Sequence, residues 1–385
     1  MIRVAALIDT VQVSGPGRQL AALASALTAF DVELTVVTFH RAGRDRSPYL
    51  DYLEQAGVPY VVVPESGPLD VRLPARLRRV LMERAFDVVQ THGYRPAALA
   101  WALRQRGASW AWIGFFHGAT TENIKVRLYH WLTNQLLGAA DRVVVMSRTH
   151  LSHFSRCREK ACVVHNAVLA LPAEPSHAAY PSVVEGARPR IGVVGRLSPE
   201  KGVDVFLNAC DALAKRGVRF SAIVAGDGPE RAQLERLRDR LDLAERVDFV
   251  GSIADVASLY ASLDLLVIPS RSEGLPNVLL EALRADVPVV ATRVGAIPDV
   301  LNSPRAGLVV PPGSATALAE GIARALPLRS DPAARNARRL VVDRFSLERR
   351  VAEHLRLYGE VLRRGVSTTQ VGAAGAGGRS WTAAR

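Results

Sequence analysis

The 385 residues are 49% hydrophobic and 22% charged, the balance of a folded globular protein rather than a disordered or fibrous chain. No apolar run reaches the roughly 18 residues that span a bilayer, and Cys157, Cys162 and Cys210 give no disulfide framework, which fits a reducing compartment. The formal net charge of +12 favours anionic partners but does not choose among nucleic acid, acidic lipid and a phosphorylated small molecule.

The opening "MIRVAALIDT" has one Arg, a short apolar strand and then Asp9, which is not the pattern of a signal peptide. A Gly/Pro turn and the helix pattern "RQLAALASALTAF" follow. "VELTVVTF", "PYVVVP", "DVVQTH", "WAWIGFFH" and "DRVVVMS" are the next strands, each separated from its neighbour by a helix-like or loop segment. Runs apolar on both faces suit a parallel sheet covered by helices. Residues 169–189 break the pattern with Pro, Ala and small polar residues and read as a linker. The alternation then restarts with "RIGVVGR", "FSAIVAGDGPE", "RVDFVG", "DLLVIPS", "VPVVAT" and "AGLVVPP". An amphipathic helix over 345–365 and a Gly/Ala-rich tail expected to be disordered, 366–385, complete the chain. The domain organisation is therefore 1–170, a linker 171–189, 190–344, a terminal helix and a tail. No internal repeat is visible, and two α/β units imply a cleft at the carboxyl ends of their strands.

Three stretches carry chemistry. In "GVVGRLSPEKGVDVF", Gly195 ends a strand and allows close backbone approach, and Arg196 and Lys201 flank the entrance of a helix. Two such cations suit a diphosphate, with Arg forking onto two oxygens and Lys supplying a point charge. "VAGDGPE" predicts a tight turn at Gly226, a structural turn or one that lines a nucleotide base. In "SRSEGLPNVLLEAL", Pro276 fits the first turn of a helix, and free N–H groups there would point into the cleft. Glu281 falls among apolar neighbours, where a carboxylate is costly without partners. Sugar hydroxyls, or a structural arginine such as Arg293, would satisfy it. Neither a Walker loop nor G-x-G-x-x-G is present.

In order and spacing, "GRLSPEKG", "AGDGPE", "SRSEGLPNVLLEALRADVPVVAT" and "VGAIPDVL" resemble the retaining GT-B glycosyltransferases of family 4, the group 1 glycosyltransferases. The resemblance runs from the first strand to the terminal helix and is most specific in the second half. It implies two Rossmann-like domains facing across a cleft, with the terminal helix crossing back to the first. The second domain would hold a nucleotide-sugar donor and the first an acceptor. It further implies that Arg196 and Lys201 stabilise the leaving diphosphate, that Glu273 contacts the donor sugar, and that Glu281 holds the ribose hydroxyls. The backbone of Gly274, Leu275, Pro276 and Asn277 would meet sugar hydroxyls and phosphate. "SGPGRQLAALA" resembles the family's Gly-Gly-Ala-Glu-Arg loop but has Ser14 for the first Gly and Gly17 for the acid. It retains Gly15 beside the donor. His117 matches the family's cleft histidine, and His92 and Ser14 are placed on the acceptor side. "VVHNAV" matches the family's Asn-Gly-Val-Asp only at Asn166 and Val168.

The implied reaction is transfer of a hexosyl group from a UDP- or GDP-linked sugar to a glycan or lipid-linked acceptor, in cell-envelope or polysaccharide synthesis. It needs no cofactor and no metal: D-x-D is absent, and His150, His153, Cys157, Cys162 and His165 match zinc spacing only loosely. A basic amphipathic helix over 71–87, with Arg72, Arg76, Arg78, Arg79 and Arg84, suits docking on anionic lipid, or a merely solvated face. The expected location is the cytoplasm, peripheral at the inner face of the membrane. The alternatives are a nucleotide-sugar 2-epimerase on the same fold and a basic nucleic-acid-binding protein. The paired acids argue against the first, and the lack of aromatic-interleaved basic ribbons argues against the second.

Overall fold

The computed structural model describes residues 1–41, 45–67, 70–118, 124–170, 188–253 and 255–365. All but the last two residues of the expected linker, and the whole of the expected tail, lie outside them. Seven strands form the first sheet: β1 (Ile2–Ile8), β2 (Val32–Arg41), β3 (Tyr60–Glu65), β4 (Val88–His92), β5 (Ala111–Phe116), β6 (Arg142–Val145) and β7 (Ala161–Val163). Six form the second: β8 (Arg190–Val194), β9 (Ser221–Ala225), β10 (Val247–Gly251), β11 (Leu265–Ile268), β12 (Val289–Thr292) and β13 (Gly307–Val310).

The orders are β3-β2-β1-β4-β5-β6-β7 and β10-β9-β8-β11-β12-β13, with parallel pairing on both sides of β1 and of β8. Counted from its own first strand, the second sheet repeats the order of the first six strands of the first sheet. The chain therefore folds twice into one topology without repeating its sequence. In each sheet the order reverses between the first and fourth strands, which opens a crevice at their carboxyl ends. Register brings Ile8 opposite His92 and His92 opposite Phe115, so the first sheet's candidate histidines rise from adjacent strand ends.

The strand sequences explain the layering. Val4, Ala5, Ala6 and Leu7 are all fully buried, which requires helices on both faces. The helix Gly15–Leu27 starts where Ser14 Oγ accepts the Gly17 N–H at 3.2 Å, with a proline in its first turn. It buries Leu20, Leu23, Ala24 and Leu27, one stripe at helical spacing. The terminal helix, Leu347–Gly365, packs against this helix and against β5 and so crosses back to the first domain. It buries Val351, Leu357, Tyr358 and Val361, and with them Arg350 and His354.

Three local expectations are corrected. The basic helix is Leu73–Glu83, shorter than 71–87, because only Leu73, Leu77 and Leu81 give it a core stripe. Pro276 precedes the helix Asn277–Arg284 as its extended cap residue rather than occupying its first turn. Thr149–Lys160 is an irregular 3₁₀ segment broken at Phe154 and Cys157, where no element was expected. Among the described residues no helix is long and apolar enough to cross a membrane.

Candidate functional site

The second domain gathers its charged residues at the carboxyl ends of β8 and β11. Lys201 Nζ lies 2.7 Å from Glu273 Oε1, and Ser270 Oγ donates to the same oxygen at 2.8 Å. Arg196 and Lys201 line one small cavity with Gly195, Ser270 and Glu273. The two loops are stapled together: Arg271 forks onto Asp204 at 2.8 and 2.6 Å and donates to Pro199 O at 2.9 Å. The staple holds the loop bearing Lys201 against the loop bearing Glu273. Gly226 packs against the backbone of Gly195. Its φ is +137°, and a Cβ there would lie 1.8 Å from Gly195 O, so only glycine fits.

The seam between the domains is closed by contacts to the Glu273–Glu281 stretch. A Cβ on Gly274 would lie 2.0 Å from His117 O, so the second domain's loop rests directly on the end of β5. Leu275 O accepts from Asn166 Nδ2 at 3.0 Å. Asn277 donates to Gly15 O at 3.2 Å, and its Oδ1 accepts from Gln19 and Asn166. Arg350 of the terminal helix, itself buried, donates to Asn166 Oδ1 and to His165 O, each at 3.0 Å.

Glu281 is 5% exposed, the buried charge its sequence context implied. Its protein partners are Arg18 and Tyr260, not Arg293. Arg18, from the first domain, donates to Oε1 at 2.7 Å, and the Tyr260 hydroxyl donates to Oε2 at 2.9 Å. Arg293 is not involved among the described contacts. The carboxylate holds the tyrosine proton firmly: burial first, then the charge of Glu281, pushes the Tyr260 hydroxyl well above its ordinary range.

Besides Arg18, the first domain contributes uncharged groups at the ends of β4 and β5. His92 Nδ1 and His117 Nε2 are 2.9 Å apart, and His92 stacks on Phe115 at 4.5 Å. Burial first, then Arg350, holds His117 down to about 4. Burial, then His117, Arg350 and His354, holds His92 well below the usual histidine range. Both rings are therefore neutral near pH 7. His92 lies buried behind His117, which does not suit the direct acceptor contact expected of it. The Ser14 side chain is engaged as a helix cap.

The structure thus brings Gly195, Arg196, Lys201, Gly226 and Glu273 together, and places Gly15, His117, Gly274, Leu275, Pro276, Asn277 and Glu281 along the seam. His150 and His153 pack around Phe116, and among the described residues no three His, Cys, Asp or Glu side chains form a metal-type group. Sequence reasoning missed Arg18, Gln19, Tyr260, Arg350 and His354. A signal existed for Arg18, which occupies the Arg position of the loop matched at Gly15. The others reach the site only through tertiary contact.

Comparison with known proteins agrees with this architecture. Residues 14–167 match the glycosyl transferase 4-like domain, and residues 188–327 match the family described as glycosyl transferases group 1. Alpha-D-kanosaminyltransferase of Streptomyces kanamyceticus is 33% identical over 178 residues, covering 45% of this chain and 46% of that protein. D-inositol 3-phosphate glycosyltransferase of Saccharomonospora viridis is 28% identical over 339 residues, covering 77% of each. The chain spans about half the length of the first of these relatives. Among solved structures, Anabaena HepE in complex with UDP-glucose superposes with a TM-score of 0.77 at 21% identity, covering 93% of this chain and all of that one. The sucrose-phosphate synthase of Thermosynechococcus elongatus gives 0.77 at 20%, covering 94% and 100%. These likenesses establish the two-domain GT-B fold.

Proposed function

The chain belongs to the group 1 glycosyltransferases of family 4, and from that premise we propose that it moves a hexosyl group from a UDP- or GDP-linked sugar to a hydroxyl of a glycan or lipid-linked acceptor, with retention. The observation that carries this reading is the Lys201–Glu273 pair at 2.7 Å, set on adjacent strand ends beside Arg196. Glu273 Oε1 already accepts twice, and Oε2 makes no hydrogen bond among the described residues, which leaves it for a sugar hydroxyl. Arg196, exposed on the same rim, and Lys201 would face the diphosphate as charge develops on it. In the reaction the anomeric carbon–phosphate oxygen bond breaks and the acceptor oxygen bonds to that carbon on the same face. The acceptor proton passes to the departing phosphate. Two cations stand in for a divalent ion, so EDTA is expected to leave turnover unchanged.

A thermal-shift screen against UDP- and GDP-sugars tests the donor site. A ligand at a hundred times its Kd stabilises by about 2.7 kcal/mol, and a protein that no nucleotide sugar shifts would sink the assignment. The anomeric configuration of the product, read by NMR, tests retention.

The helix Leu73–Glu83 supports a peripheral membrane location. Arg72, Arg78, Arg79 and Arg84 are exposed there beside Val71 and Met82, whereas Arg76 turns to Asp70 and Pro64 O. An acceptor in envelope or polysaccharide synthesis would fit such a surface; the mannosyltransferase LpsB of Rhizobium meliloti, 32% identical over 189 residues, is named for lipopolysaccharide core biosynthesis. Co-sedimentation with phosphatidylglycerol but not phosphatidylcholine vesicles is the expected result. A gel shift with duplex DNA at physiological salt is expected to be blank.

A further inference from the structure

The terminal helix builds a polar chamber beneath the histidine pair that the proposed reaction does not use. Arg350, His354 and Tyr358 are spaced four residues apart on one face of the helix and are all buried. Opposite them stand Gln90 and His92, two residues apart on β4 and so on one face of the sheet. Tyr358 donates to Gln90 Oε1 at 3.2 Å, and His354 stacks on Phe115 at 5.7 Å. Four nitrogens of this chamber are buried with no hydrogen-bond partner: Gln90 Nε2, His92 Nε2, His354 Nε2 and Arg350 Nε.

We propose that His92 is a positioning residue for His117, donating its Nδ1–H to His117 Nε2 so that His117 presents an Nδ1–H donor, and not a lone pair, to the ligand in the cleft. The inference rests on the reading of His117 as a donor-sugar contact.

The proton count carries it. A backbone carbonyl only accepts, so the 2.9 Å contact of His354 Nδ1 with Arg350 O puts the proton on that nitrogen and leaves His354 Nε2 a lone pair. One proton sits in the 2.9 Å gap between His92 and His117. If His117 gave it, His92 would keep an N–H at Nε2, in a chamber where Gln90 Nε2 and Arg350 Nε already hold protons without acceptors. If His92 gives it, His92 Nε2 becomes the lone pair that these two donors and the guanidinium charge favour. His117 Nδ1, which has no partner among the described residues, then carries the remaining proton. A neutral N–H donor there strengthens its bond to a sugar or phosphate oxygen as negative charge develops, and it cannot serve as the base.

The test reads the tautomer without substrate. In the full chain labelled with [15N]histidine, a multiple-bond ¹H–¹⁵N spectrum is expected to show a protonated Nδ1 and a bare Nε2 for His117, assigned by their loss in His117→Gln. The reverse pattern overturns the proposal. His92→Asn supplies an amide N–H at the Nδ1 position and is expected to keep the pattern and most of the turnover. His92→Asp supplies an acceptor there and is expected to invert the pattern and lower kcat about 10²-fold. Equal losses in both variants, or an inverted tautomer with unchanged kcat, overturn the role. A wild-type spectrum with the expected tautomer in a protein that binds no nucleotide sugar would sink the enzyme reading and leave the His92 contact standing.

Discussion

The two domains share a strand order and differ in what they set on the strand ends. The second sheet presents an ion pair, Lys201 with Glu273, an exposed Arg196, and a second pair, Arg271 with Asp204, that fixes the loops. The first sheet presents imidazoles kept neutral by burial and by the Arg350 charge. The topology decides where a ligand lies, and the local dielectric decides which part of it each side can hold. A partly hydrated rim tolerates the charges that a diphosphate needs. A buried wall beside a fixed guanidinium cannot accept a second cation and is left with hydrogen bonding to hydroxyls.

The sharpest way to break this contrast is to remove one charged residue and one neutral residue and compare. Lys201→Ala and Glu273→Ala are each expected to lower kcat by about 10³-fold, the upper range for loss of one preorganised transition-state contact, with an unchanged circular-dichroism spectrum. His117→Gln, which keeps an amide donor, is expected to lose about tenfold less than either. Wild-type turnover in the Lys201 or Glu273 variant would remove their roles, and equal losses in all three would erase the distinction between the domains.

Acid is expected to separate the domains next. Residues 190–344 contain no histidine, whereas His92, His117 and His354 all lie in the first domain or the helix packed on it. His117 is held to about 4 and His354 to about 3, each by burial first and then by Arg350. A lowered folded-state value means that the unfolded chain takes up protons the folded chain refuses. The contribution is whole above the unfolded value near pH 6.5 and is lost as pH falls from there through about 4. The slope is at most about 1.4 kcal/mol per pH unit for each group. Four of the five tryptophans, Trp101, Trp110, Trp112 and Trp131, belong to the first domain and residues 190–344 have none, so in a Trp381→Phe background fluorescence follows the first domain alone. Its urea midpoint is expected to fall between pH 7 and 5. A midpoint flat over that interval would contradict the neutral-histidine wall.

Two glycines distinguish contacts inside a domain from contacts across the seam. Gly226→Ala forces a Cβ against Gly195 O at a φ that only glycine favours. It is expected to cost about 1–3 kcal/mol and to weaken nucleotide binding. Gly274→Ala instead pushes on His117 O, so it is expected to leave the nucleotide thermal shift in place while lowering kcat. If both variants lost nucleotide binding alike, the seam contact would have no separate role.

How much of this was legible in the sequence follows the same division. The α/β class, twelve of the thirteen strands and the clustering of the second domain's charged residues were readable because their determinants are local, whereas the three-residue edge strand β7 was not foreseen. Arg196 and Lys201 sit on one loop, and Glu273 and Glu281 sit on one short stretch. The wall of the first domain was only half readable. His117 and His92 stand at strand ends, but what keeps them neutral is burial first and, beside it, the charge of Arg350, which is more than two hundred residues away. The buried Glu281 was foreseen, but its partners were not, since Arg18 is 263 residues from it in the chain. A helix-start expectation for Pro276 failed by one position because the cap and first-turn positions share the same sequence signal.

The Arg18–Glu281 pair is where the two domains become dependent on each other, and its energy can be isolated. Glu281 is buried, while Arg18 is about one-third exposed, so part of the attraction is screened by water. Arg18→Met leaves Glu281 with the Tyr260 hydroxyl alone, and Glu281→Gln leaves Arg18 free to turn to solvent. The first variant should therefore be the more destabilising, because the uncompensated group it creates is the buried one. A double-mutant cycle through both changes is expected to give a coupling of about 1 kcal/mol, within the range for contacting residues. The same pair competes with any hydroxyl that Glu281 would hold. A nucleotide sugar that engages Glu281 must displace or share Arg18, so Arg18→Met is expected to bind the nucleotide at least as tightly while losing transfer. Weaker nucleotide binding in this variant would mean that Arg18 helps hold the nucleotide, and the seam would then be part of the donor site itself rather than a latch over it.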